Sequence, residues 1–410
     1  MREPKVAIAY SELALESQGA ADSWMAQALE QAKLGLGCTY PNPPVGALIE
    51  KEGRIVAQSF HARAGDLHAE AKALLQAGEQ ALGSTLHVTL EPCNHFGRTP
   101  PCTEAIIRAG VKRVIYAEND PNPEVAGQGR LRLQEMGIQV EQASSPESRV
   151  ILLPFSKRVT RGVPYVIAKM AASLDGRISQ KPGVQTALTS PKANRFVHRL
   201  RERVDAVVVG SETVLIDNPR LTVRDTGSLI HHQPIRIVLD SRLRTSPQAW
   251  VYQEKNAWVV HSIHASKKLC DAFDQAGIQR VVSEKADLLK TLGAFGLTSI
   301  LVEGGAQVLT YFLHQGWVDE LVWLTAPILL GSQGTASVGE LACSASFGPG
   351  IRADLFPDRL MVFTQGDRKV GSFGISSPHY ENGTNRALGD TLKEEITMDS
   401  MTWNQTEVFQ

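Results

Sequence analysis

The stretch from Asp66 to Cys102 constrains the fold most strongly, because its spacing lets one histidine and two cysteines meet around a single ion. His68 stands in an H-A-E triplet with Glu70, Cys93 ends the run T-L-E-P-C, and Cys102 ends P-P-C. One imidazole and two thiolates supply three ligands of a tetrahedral zinc ion and leave the fourth place for water, as in catalytic sites. We therefore predict a catalytic Zn²⁺ site in which Glu70 transfers protons without binding the metal.

The histidine and the glutamate are predicted to lie at the start of a helix. Asp66 would cap this helix, with His68 and Glu70 in its first turn. Residues two apart on a helix do not share a face, so the imidazole can hold the metal while the carboxyl group reaches toward the water. The apolar positions of the helix would be Leu67, Ala71, Leu74 and Leu75.

The two cysteines are predicted to come from a strand end and a helix start. Val88–Leu90 indicates a buried strand that leads to Cys93. Pro100-Pro101 indicates the start of a helix over 102–109, whose dipole would favour a thiolate at Cys102.

The ligand pattern is similar to that of zinc nucleobase deaminases, where an H-x-E triplet precedes P-C-x-x-C. Here eight residues, 94–101, separate Cys93 from Cys102. Such a site could attack an amidine-like ring carbon and expel its amine. The alternative is a closed, structural zinc site that uses His61 or His95 as a further ligand.

Composition narrows the function classes. A chain of 410 residues has room for two or three domains, and a net charge of −1 shows none of the basic excess typical of nucleic-acid binders. The five cysteines lack a disulfide-like spacing, which favours a reducing, cytoplasmic compartment. No stretch approaches the roughly 18 apolar residues of a membrane span. We therefore expect a cytoplasmic protein that binds neither nucleic acid nor membrane.

The first half of the chain alternates helical and strand patterns. Its predicted elements are a helix over 22–36, strands over 45–49, 55–58, 88–90 and 111–116, a helix over 131–136 and a short strand at Val140. This alternation predicts an α/β/α sandwich over residues 22–145.

The second half is predicted to be another α/β domain. A helical connector would occupy 146–162 and the domain 163–371, with a polar, disordered tail over 372–410. Near-continuous apolar strands favour a largely parallel sheet covered on both faces. They are predicted at 165–168, 206–209, 235–239, 258–260, 299–302 and 320–324.

Three features of this half could carry chemistry. Within Ser299–Val308, a strand runs into Glu303–Gly305 and then a helix; the turn could hold phosphate, although glycine after a strand is more often only a tight turn. Strand 207–210, followed by Thr213, is a second strand-turn-helix unit with polar residues at its mouth. Lys169 stands inside an apolar strand, either as an edge charge or as a site residue.

In the order of its motifs, the chain resembles the bifunctional riboflavin-biosynthesis deaminase/reductase family over residues 22–332. The long gap between the two cysteines is this family's own spacing. The motifs that carry the resemblance are P-N-P-P-V-G, H-A-E, T-L-E-P-C-N-H-F-G-R-T-P-P-C, D-P-N-P, A-S-L-D-G-R, V-G-S-E-T-V-L-I-D-N-P-R-L-T-V-R, V-E-G-G and A-P-I-L-L-G.

The resemblance implies a cytidine-deaminase-like α/β/α sandwich followed by a dihydrofolate-reductase-like α/β domain. The first would replace the 2-amino group of 2,5-diamino-6-ribosylamino-4(3H)-pyrimidinone 5′-phosphate with oxygen. The second would use NADPH to reduce the ribosyl group to ribityl. The expected cofactors are therefore Zn²⁺ and NADPH, the expected partner is this small molecule, and the chain is expected to form a homo-oligomer through the second domain.

Matched residue by residue, the family pattern implies three groups of site residues besides the zinc ligands and Glu70. Substrate-binding positions around the first site are Asn42, His61, His95, Arg98 and Asn122. Substrate-binding positions in the second domain are Lys169, Arg201, Leu221, Arg224 and Glu303. Cofactor-binding positions are Ala171, Thr213, Asp217, Ser241, Gly304 and Gly305.

The second domain also departs from the family pattern. Gln185 and Ala187 replace a usual serine on the substrate side and a usual tryptophan on the cofactor side, and Ile328 replaces a usual lysine. Loss of this aromatic side chain would remove on the order of 1–3 kcal/mol of binding free energy. Such a loss would weaken NADPH binding without abolishing it. The alternatives are a deaminase with a non-reducing second domain, a nucleic-acid deaminase, and a zinc-stabilised binding protein without turnover.

Overall fold

The structure is a computed structural model that describes residues 23–96, 100–123, 125–224, 226, 232–254, 256–341, 345–348 and 350–364. Within this part of the chain, two groups of helices and strands follow each other, each built on a main sheet of its own. The predicted tail, 372–410, and the end of the predicted second domain, 365–371, lie outside the described residues. No described helix is both long enough and apolar enough to cross a bilayer.

The first group forms a five-stranded sheet among the described residues, in the order β2-β1-β3-β4-β5. Strand β1 is antiparallel to β2 and β3, while β3, β4 and β5 run parallel. The predicted elements are confirmed, with ends moved by a few residues. Their bounds are α1 Trp24–Lys33, β1 Gly46–Lys51, β2 Arg54–Phe60, α2 Ala69–Ala77, β3 Thr85–Leu90, α3 Cys102–Arg108, β4 Arg113–Glu118, α4 Gln128–Glu135 and β5 Gln139–Gln142.

Alternation along β1 explains the layers of this sandwich. Ala47 and Ile49 point into a core shared with α2, α3 and α4. Gly46 faces the other way, toward α1, where an added Cβ would lie 2.0 Å from the Ala28 carbonyl oxygen. Only a glycine at this position lets α1 approach the sheet so closely. Helices therefore cover both faces, as the sequence predicts.

The predicted connector is helix α5, Pro146–Arg161. Ser145 caps it by accepting a hydrogen bond from the Ser148 N–H, and Ser148 returns the bond in a capping box. Leu152 belongs to the core of the first sheet, whereas Val150 belongs to a core of the second. The helix is thus shared between the two groups of elements.

The second group forms a nine-stranded sheet in the order β11-β10-β9-β8-β12-β6-β13-β16-β15, within the ranges that the structure describes. The strands from β11 to β13 are parallel, and β16 and β15 add an antiparallel edge. The strand bounds are β6 Tyr165–Ser173, β7 Arg177–Ser179, β8 Ala206–Gly210, β9 Ile235–Leu239, β10 Ala257–His261, β11 Gln279–Val282, β12 Ser299–Val302, β13 Glu320–Ala326, β14 Thr335–Ala336, β15 Ile351–Leu355 and β16 Asp358–Thr364. The helix bounds are α6 Pro191–Glu202, α7 Ser211–Asp217, α8 Lys267–Gln275, α9 Leu288–Ala294 and α10 Ala306–Gln315.

Burial in β6 shows why a parallel sheet is formed. Tyr165 and Ile167 enter one hydrophobic core, and Val166 and Ala168 enter the other. A strand buried on both faces needs apolar residues at every position, which is the pattern that predicts these strands. All six predicted strands are confirmed. Strands β11, β15 and β16 are not among them, because their exposed positions interrupt the apolar run.

Candidate functional site

Three side chains with metal-binding atoms meet beside the first sheet. The ligand atoms of His68, Cys93 and Cys102 all lie within 4.8 Å of one another. His68 Nδ1 is 3.3 Å from Cys102 Sγ and 3.5 Å from Cys93 Sγ. Tetrahedral zinc with bonds of about 2.0 Å to nitrogen and 2.3 Å to sulfur separates neighbouring ligand atoms by roughly 3.5 Å. The donor set and its spacing therefore fit a zinc ion.

His68 occupies the N-cap position of α2, where its side chain makes no cap hydrogen bond and contacts the two sulfurs instead. The prediction that Asp66 caps this helix is wrong, since Asp66 lies upstream and pairs with Arg63 Nε at 3.1 Å. Of the apolar positions predicted for this helix, Leu74 is buried and Ala71 is half-buried. Leu67 and Leu75 are 44% and 71% exposed.

Cys93 and Cys102 share hydrogen bonds that favour a thiolate on the first of them. The backbone N–H of Cys102, at the start of α3, donates to Cys93 Sγ at 3.4 Å. A hydrogen bond from the Cys102 thiol lowers the pKa of Cys93 to about 4, and His68 adds to the effect. The same bond, together with burial, raises the pKa of Cys102. The N–H at the helix start therefore supports negative charge on the Cys93 sulfur, and zinc would hold both cysteines as thiolates.

Glu70 lies in the first turn of α2 and is 4% exposed. Burial raises the pKa of its carboxyl group, and the charge of His68 partly opposes that shift. A carboxyl group with a raised pKa beside the metal ligands can accept a proton from water and donate it again. The geometry therefore allows the proton-transfer role that the sequence suggests.

The two other histidines of this region do not complete the ligand set. Both ring nitrogens of His61 are engaged: Nε2 lies 3.0 Å from the Asn42 amide nitrogen and Nδ1 lies 3.2 Å from the Leu67 carbonyl oxygen. His95 is exposed on the loop after Cys93. In the described part of the chain, the cluster holds three ligands. The fourth place of a tetrahedral ion is thus open to water, and the closed structural site is not formed there.

The loops after β3 and β4 carry two further predicted residues of this site, His95 and Asn122. Asn122 stands two residues after Asp120, whose pKa is raised mainly by burial and also responds to the charges of His95 and Cys93. These loops therefore adjoin at the carboxyl ends of two parallel strands. Arg98, the remaining predicted residue, lies outside the described residues.

Glu91 is a positioning residue that the motif analysis misses. It is 4% exposed, and its carboxylate accepts hydrogen bonds from the N–H groups of Gly127 at 2.9 Å and Arg130 at 3.0 Å, at the start of α4. These bonds satisfy N–H groups of a helix start and join α4 to the loop that carries Cys93. The signal that could have revealed it is a charged residue between a buried strand and the metal ligand.

Replacing Glu91 with glutamine is expected to lower the free energy of unfolding by about 1–3 kcal/mol, because an amide has one acceptor oxygen for two N–H donors. Urea unfolding followed by circular dichroism measures this change. The control is Glu135→Gln on exposed Glu135, at the opposite end of α4, where a change within about 0.5 kcal/mol is expected. Equal effects of both substitutions would contradict the role of Glu91.

A buried ion pair lies at the carboxyl end of β12 in the second sheet. Arg201 Nε and Nη2 donate to Glu303 Oε1 and Oε2 at 2.5 and 2.9 Å, and Nη1 donates to the Thr222 carbonyl oxygen at 3.1 Å. Burial disfavours the carboxylate, but the charge and hydrogen bonds of Arg201 lower the pKa of Glu303 overall. Burial also lowers the pKa of Lys169 beside this pair. Lys169, Arg201 and Glu303 are thus brought together as the sequence predicts.

Two further predicted residues lie on the loop beside this pair. The backbone N–H of Arg224 donates to His198 Nδ1 at 3.3 Å, and burial and the charges of Arg201 and Arg224 lower the pKa of His198. His198 is missed by the motif analysis, although it stands three residues before Arg201 on α6. Leu221 has a left-handed backbone, φ 56°, and the residue is 4% exposed and belongs to a hydrophobic core, so its side chain is not open to a substrate.

A cavity of about 800 Å³ opens at the carboxyl ends of β8, β9, β10 and β12. The Gly305 N–H, at the start of α10, donates to Thr213 Oγ1 at 3.3 Å. Gln185 lines the cavity, whereas Ala187, the position of the usual tryptophan, does not. Four of the predicted cofactor-binding residues line it: Thr213, Asp217, Ser241 and Gly305.

The other two predicted cofactor positions, Ala171 and Gly304, lie outside the cavity lining. Ala171 packs against a hydrophobic core. An added Cβ at Gly304 would lie 2.6 Å from Val308 Cβ, so this glycine permits the close packing of α10. The structure therefore does not place these two residues at the cavity surface.

A second cavity, of about 470 Å³, adjoins the first and shares four lining residues with it: Ser241, Ser283, Glu284 and Lys285. Hydroxyl and basic groups suit phosphate, and two adjoining cavities suit an elongated molecule. One carboxylate, Glu284, also lines both cavities and accepts a hydrogen bond from the Ser262 hydroxyl at 3.0 Å. The pair of cavities therefore fits a dinucleotide with several phosphate groups, such as NADPH. The hydroxyl-bearing and basic residues that line the second cavity follow three adjacent parallel strands: Ser241, Arg242, Ser262, His264, Ser283 and Lys285.

Known proteins match both halves of the chain. The family model described as the cytidine and deoxycytidylate deaminase zinc-binding region matches residues 19–118, and the RibD C-terminal domain matches residues 164–352. Riboflavin biosynthesis protein RibD of Aquifex aeolicus (strain VF5) is 40% identical over 323 residues, which are 78% of this chain and 90% of the relative. The protein of the same name from Escherichia coli (strain K12) is 42% identical and covers 75% and 88%.

Two solved structures also match most of the chain. Acinetobacter baumannii RibD, form 1, has a TM-score of 0.75 at 37% identity and covers 83% of this chain and 97% of its own. The diaminohydroxyphosphoribosylaminopyrimidine deaminase/5-amino-6-(5-phosphoribosylamino)uracil reductase of Thermotoga maritima has a TM-score of 0.72 at 32% identity, covering 84% and 98%. The predicted fold class, a cytidine-deaminase-like domain before a reductase domain of the α/β class, is confirmed. The chain belongs to the RibD family of bifunctional, zinc- and NADPH-dependent deaminase/reductases of riboflavin biosynthesis.

Proposed function

We propose that this chain deaminates 2,5-diamino-6-ribosylamino-4(3H)-pyrimidinone 5′-phosphate and then reduces the ribosyl group of the product with NADPH. The main support is the three-ligand cluster with buried Glu70 beside it, which suits hydrolysis at a ring carbon. The similar protein of Thermotoga maritima is named for both a deaminase and a reductase reaction. We assign deamination to residues 22–145, the connector to 146–162 and reduction to 163–371.

In the first domain, residues of the chain bind the pyrimidine and move protons. When bound, zinc lowers the pKa of the attacking water. Glu70 takes the proton from this water and passes it to the leaving amine, so that a C–O bond forms, the C–N bond breaks and ammonia leaves. Asn42, whose amide nitrogen is held by His61, can accept a hydrogen bond from the pyrimidine through its carbonyl oxygen.

In the second domain, the residues around the ion pair open the sugar. NADPH supplies the hydride when bound. The sugar must open before C1′ can accept that hydride, and opening moves a proton to the ring oxygen. We assign this transfer to Lys169, because burial lowers its pKa and so eases loss of its proton. Arg201 keeps Glu303 ionised beside it.

One incubation tests both reactions. Purified protein, the diaminopyrimidinone substrate and NADPH are mixed, and ammonia release and NADPH absorbance are followed together. Ammonia followed by NADPH loss is the expected result. Ammonia without NADPH loss would support the alternative of a deaminase with a non-reducing second domain and would implicate Gln185 and Ala187. A lack of both would contradict the proposal.

The second cavity is proposed to receive the 2′-phosphate of NADPH, since Arg242, His264 and Lys285 line it. Substitution Arg242→Ala is expected to weaken NADPH binding about tenfold while NADH binding changes little, because only NADPH carries this phosphate. Titration of intrinsic fluorescence with each nucleotide measures both affinities. Lys268→Ala, on exposed Lys268 of α8, is the control and should alter neither. Equal weakening of NADPH and NADH by Arg242→Ala would contradict this assignment.

Association into a homo-oligomer through the second domain is part of the same proposal. Strand β15 lies at the edge of the nine-stranded sheet and pairs with β16 alone in the described part of the chain, so its other edge can receive a second copy. Sedimentation velocity tests this assembly. The near-neutral charge supports a small-molecule substrate over nucleic acid, and a cytoplasmic location remains our proposal.

A further inference from the structure

The loop between α1 and β1, residues 34–45, carries the Asn42 side chain toward the metal ligands. The Asn42 N–H donates to the Thr39 carbonyl oxygen at 2.8 Å, and its amide nitrogen lies 3.0 Å from His61 Nε2. The His61 ring in turn packs edge-on against the His68 ring, with centroids 5.3 Å apart. A displacement of this loop would therefore move the pyrimidine-binding side chain relative to the zinc site.

The same loop rests on the second sheet. Tyr40 packs against a core of that sheet. Pro41 lies against Gly296, where an added Cβ would be 3.2 Å from Pro41 Cβ. An added Cβ at Gly37 would lie 2.8 Å from the Glu202 carbonyl oxygen. Residues of the loop that precede Asn42 are thus seated on what we call the support surface, residues 202–205 and 294–298.

Asp205 holds the support surface together. It is 3% exposed and accepts hydrogen bonds from the Thr298 N–H at 2.6 Å, the Thr298 hydroxyl at 2.7 Å and the Ser299 N–H at 2.9 Å. These bonds join the residue before β8 to the residues that start β12. Burial, with a smaller contribution from Asp205, raises the pKa of Cys38 to about 12, so this thiol of the loop stays neutral against the surface.

We propose that the support surface of the reductase domain positions Asn42 for deamination, and that Gly296 is a positioning residue for a reaction in the other domain. The inference rests on the proposed function and deepens it. Gly296 is not a catalytic residue: it touches Pro41, the neighbour of Asn42. A side chain at this position would push Pro41, and Asn42 with it, away from the pyrimidine edge, while the zinc ligands on α2, α3 and the loop after β3 stay in place.

Two glycines in equivalent turns provide a matched test. Gly296 follows α9 and Gly277 follows α8, and each precedes a strand with a left-handed φ, of +92° and +69°. An added Cβ meets Pro41 at Gly296, whereas it has nothing within 4 Å at Gly277. Both alanine variants therefore bear backbone strain, which is larger at the φ of Gly296, and only Gly296→Ala also meets the loop.

We expect Gly296→Ala to raise the KM for deamination about tenfold, because a small displacement of a substrate-positioning group is costly. Its kcat, its zinc content and its rate of NADPH-dependent reduction of the deaminated product should remain those of the unsubstituted protein. Gly277→Ala should leave the KM for deamination unchanged. Ammonia release, atomic absorption for zinc and NADPH absorbance measure the three properties.

Tyr40 offers a test without backbone strain. Tyr40→Ala removes the ring from the support surface and should raise the KM as Gly296→Ala does, whereas Tyr40→Phe keeps the ring and should restore the unsubstituted value. Equal KM values for Gly296→Ala and Gly277→Ala in an active enzyme would overturn the inference alone. An unsubstituted protein that releases no ammonia would overturn the proposed function, and the inference with it.

Discussion

Substituting Glu70 with glutamine is expected to slow ammonia release by about 10²–10⁴-fold, the usual contribution of a positioned acid-base group. Glutamine fills the same space in the first turn of α2 but cannot take a proton from water. The zinc ligands His68, Cys93 and Cys102 are untouched, so zinc should stay bound. Steady-state ammonia release and zinc content by atomic absorption measure the two properties on the same sample.

Exposed Glu79, just after α2, supplies the control for this experiment. Glu79→Gln removes the same charge near the same helix and should leave both activity and zinc unchanged. Turnover by Glu70→Gln at the unsubstituted rate would refute proton transfer by Glu70. Loss of zinc from that variant would instead make Glu70 part of the metal site.

Substituting Arg201 with methionine should abolish NADPH-dependent reduction and destabilise the protein by about 3–5 kcal/mol. The side chains of Arg201 and Glu303 are 13% and 7% exposed, so the change leaves a buried carboxylate without its partner. Ammonia release at low temperature should continue, because the zinc ligands lie beside the first sheet and the ion pair belongs to the second. Urea unfolding measures stability, and NADPH absorbance with the deaminated product measures reduction.

The double substitution Arg201→Met with Glu303→Met is the matched comparison. It should be more stable than Arg201→Met alone, because it removes both buried charges, but it should remain unable to reduce. Lys192→Met, on exposed Lys192 of α6, controls for loss of a charge on the same helix. Full reduction by Arg201→Met would contradict the assigned role of the ion pair.

The sequence predicts the fold well where burial dictates residue type. Strands such as β8 and β12 are buried along their whole length, so nearly every residue is apolar and their bounds follow from the pattern. The edge strand β15 alternates between partly buried and exposed positions, and among the described strands it pairs only with β16. Its place depends on a tertiary contact, which a local pattern does not contain.

The site is predictable where chemistry restricts residue choice. Zinc needs nitrogen and sulfur ligands, so His68, Cys93 and Cys102 stand out. Glu91 and His198 do not stand out in the sequence. Glu91 accepts hydrogen bonds from two helix N–H groups, and His198 lies beside Arg201. Both roles become visible only when separate segments of the chain meet. The predicted start of α2 is misplaced. Propensity favours Asp66 as the N-cap residue, but His68 occupies that position, and its side chain contacts the two cysteine sulfurs instead of capping the helix.

Helix α5 limits how the two enzymes could ever be separated by gene fission or proteolysis. Leu152 completes the core of the first sheet, Val150 completes a core of the second, and Lys157 binds Asp319, which also accepts a hydrogen bond from the Val166 N–H at 2.7 Å. A cut before residue 146 would remove Leu152 from the core of the deaminase. A cut after residue 161 would remove Val150 and Lys157 from the reductase. Either cut would leave α5 with one half only, so the other half would expose apolar surface that this helix covers in the intact chain.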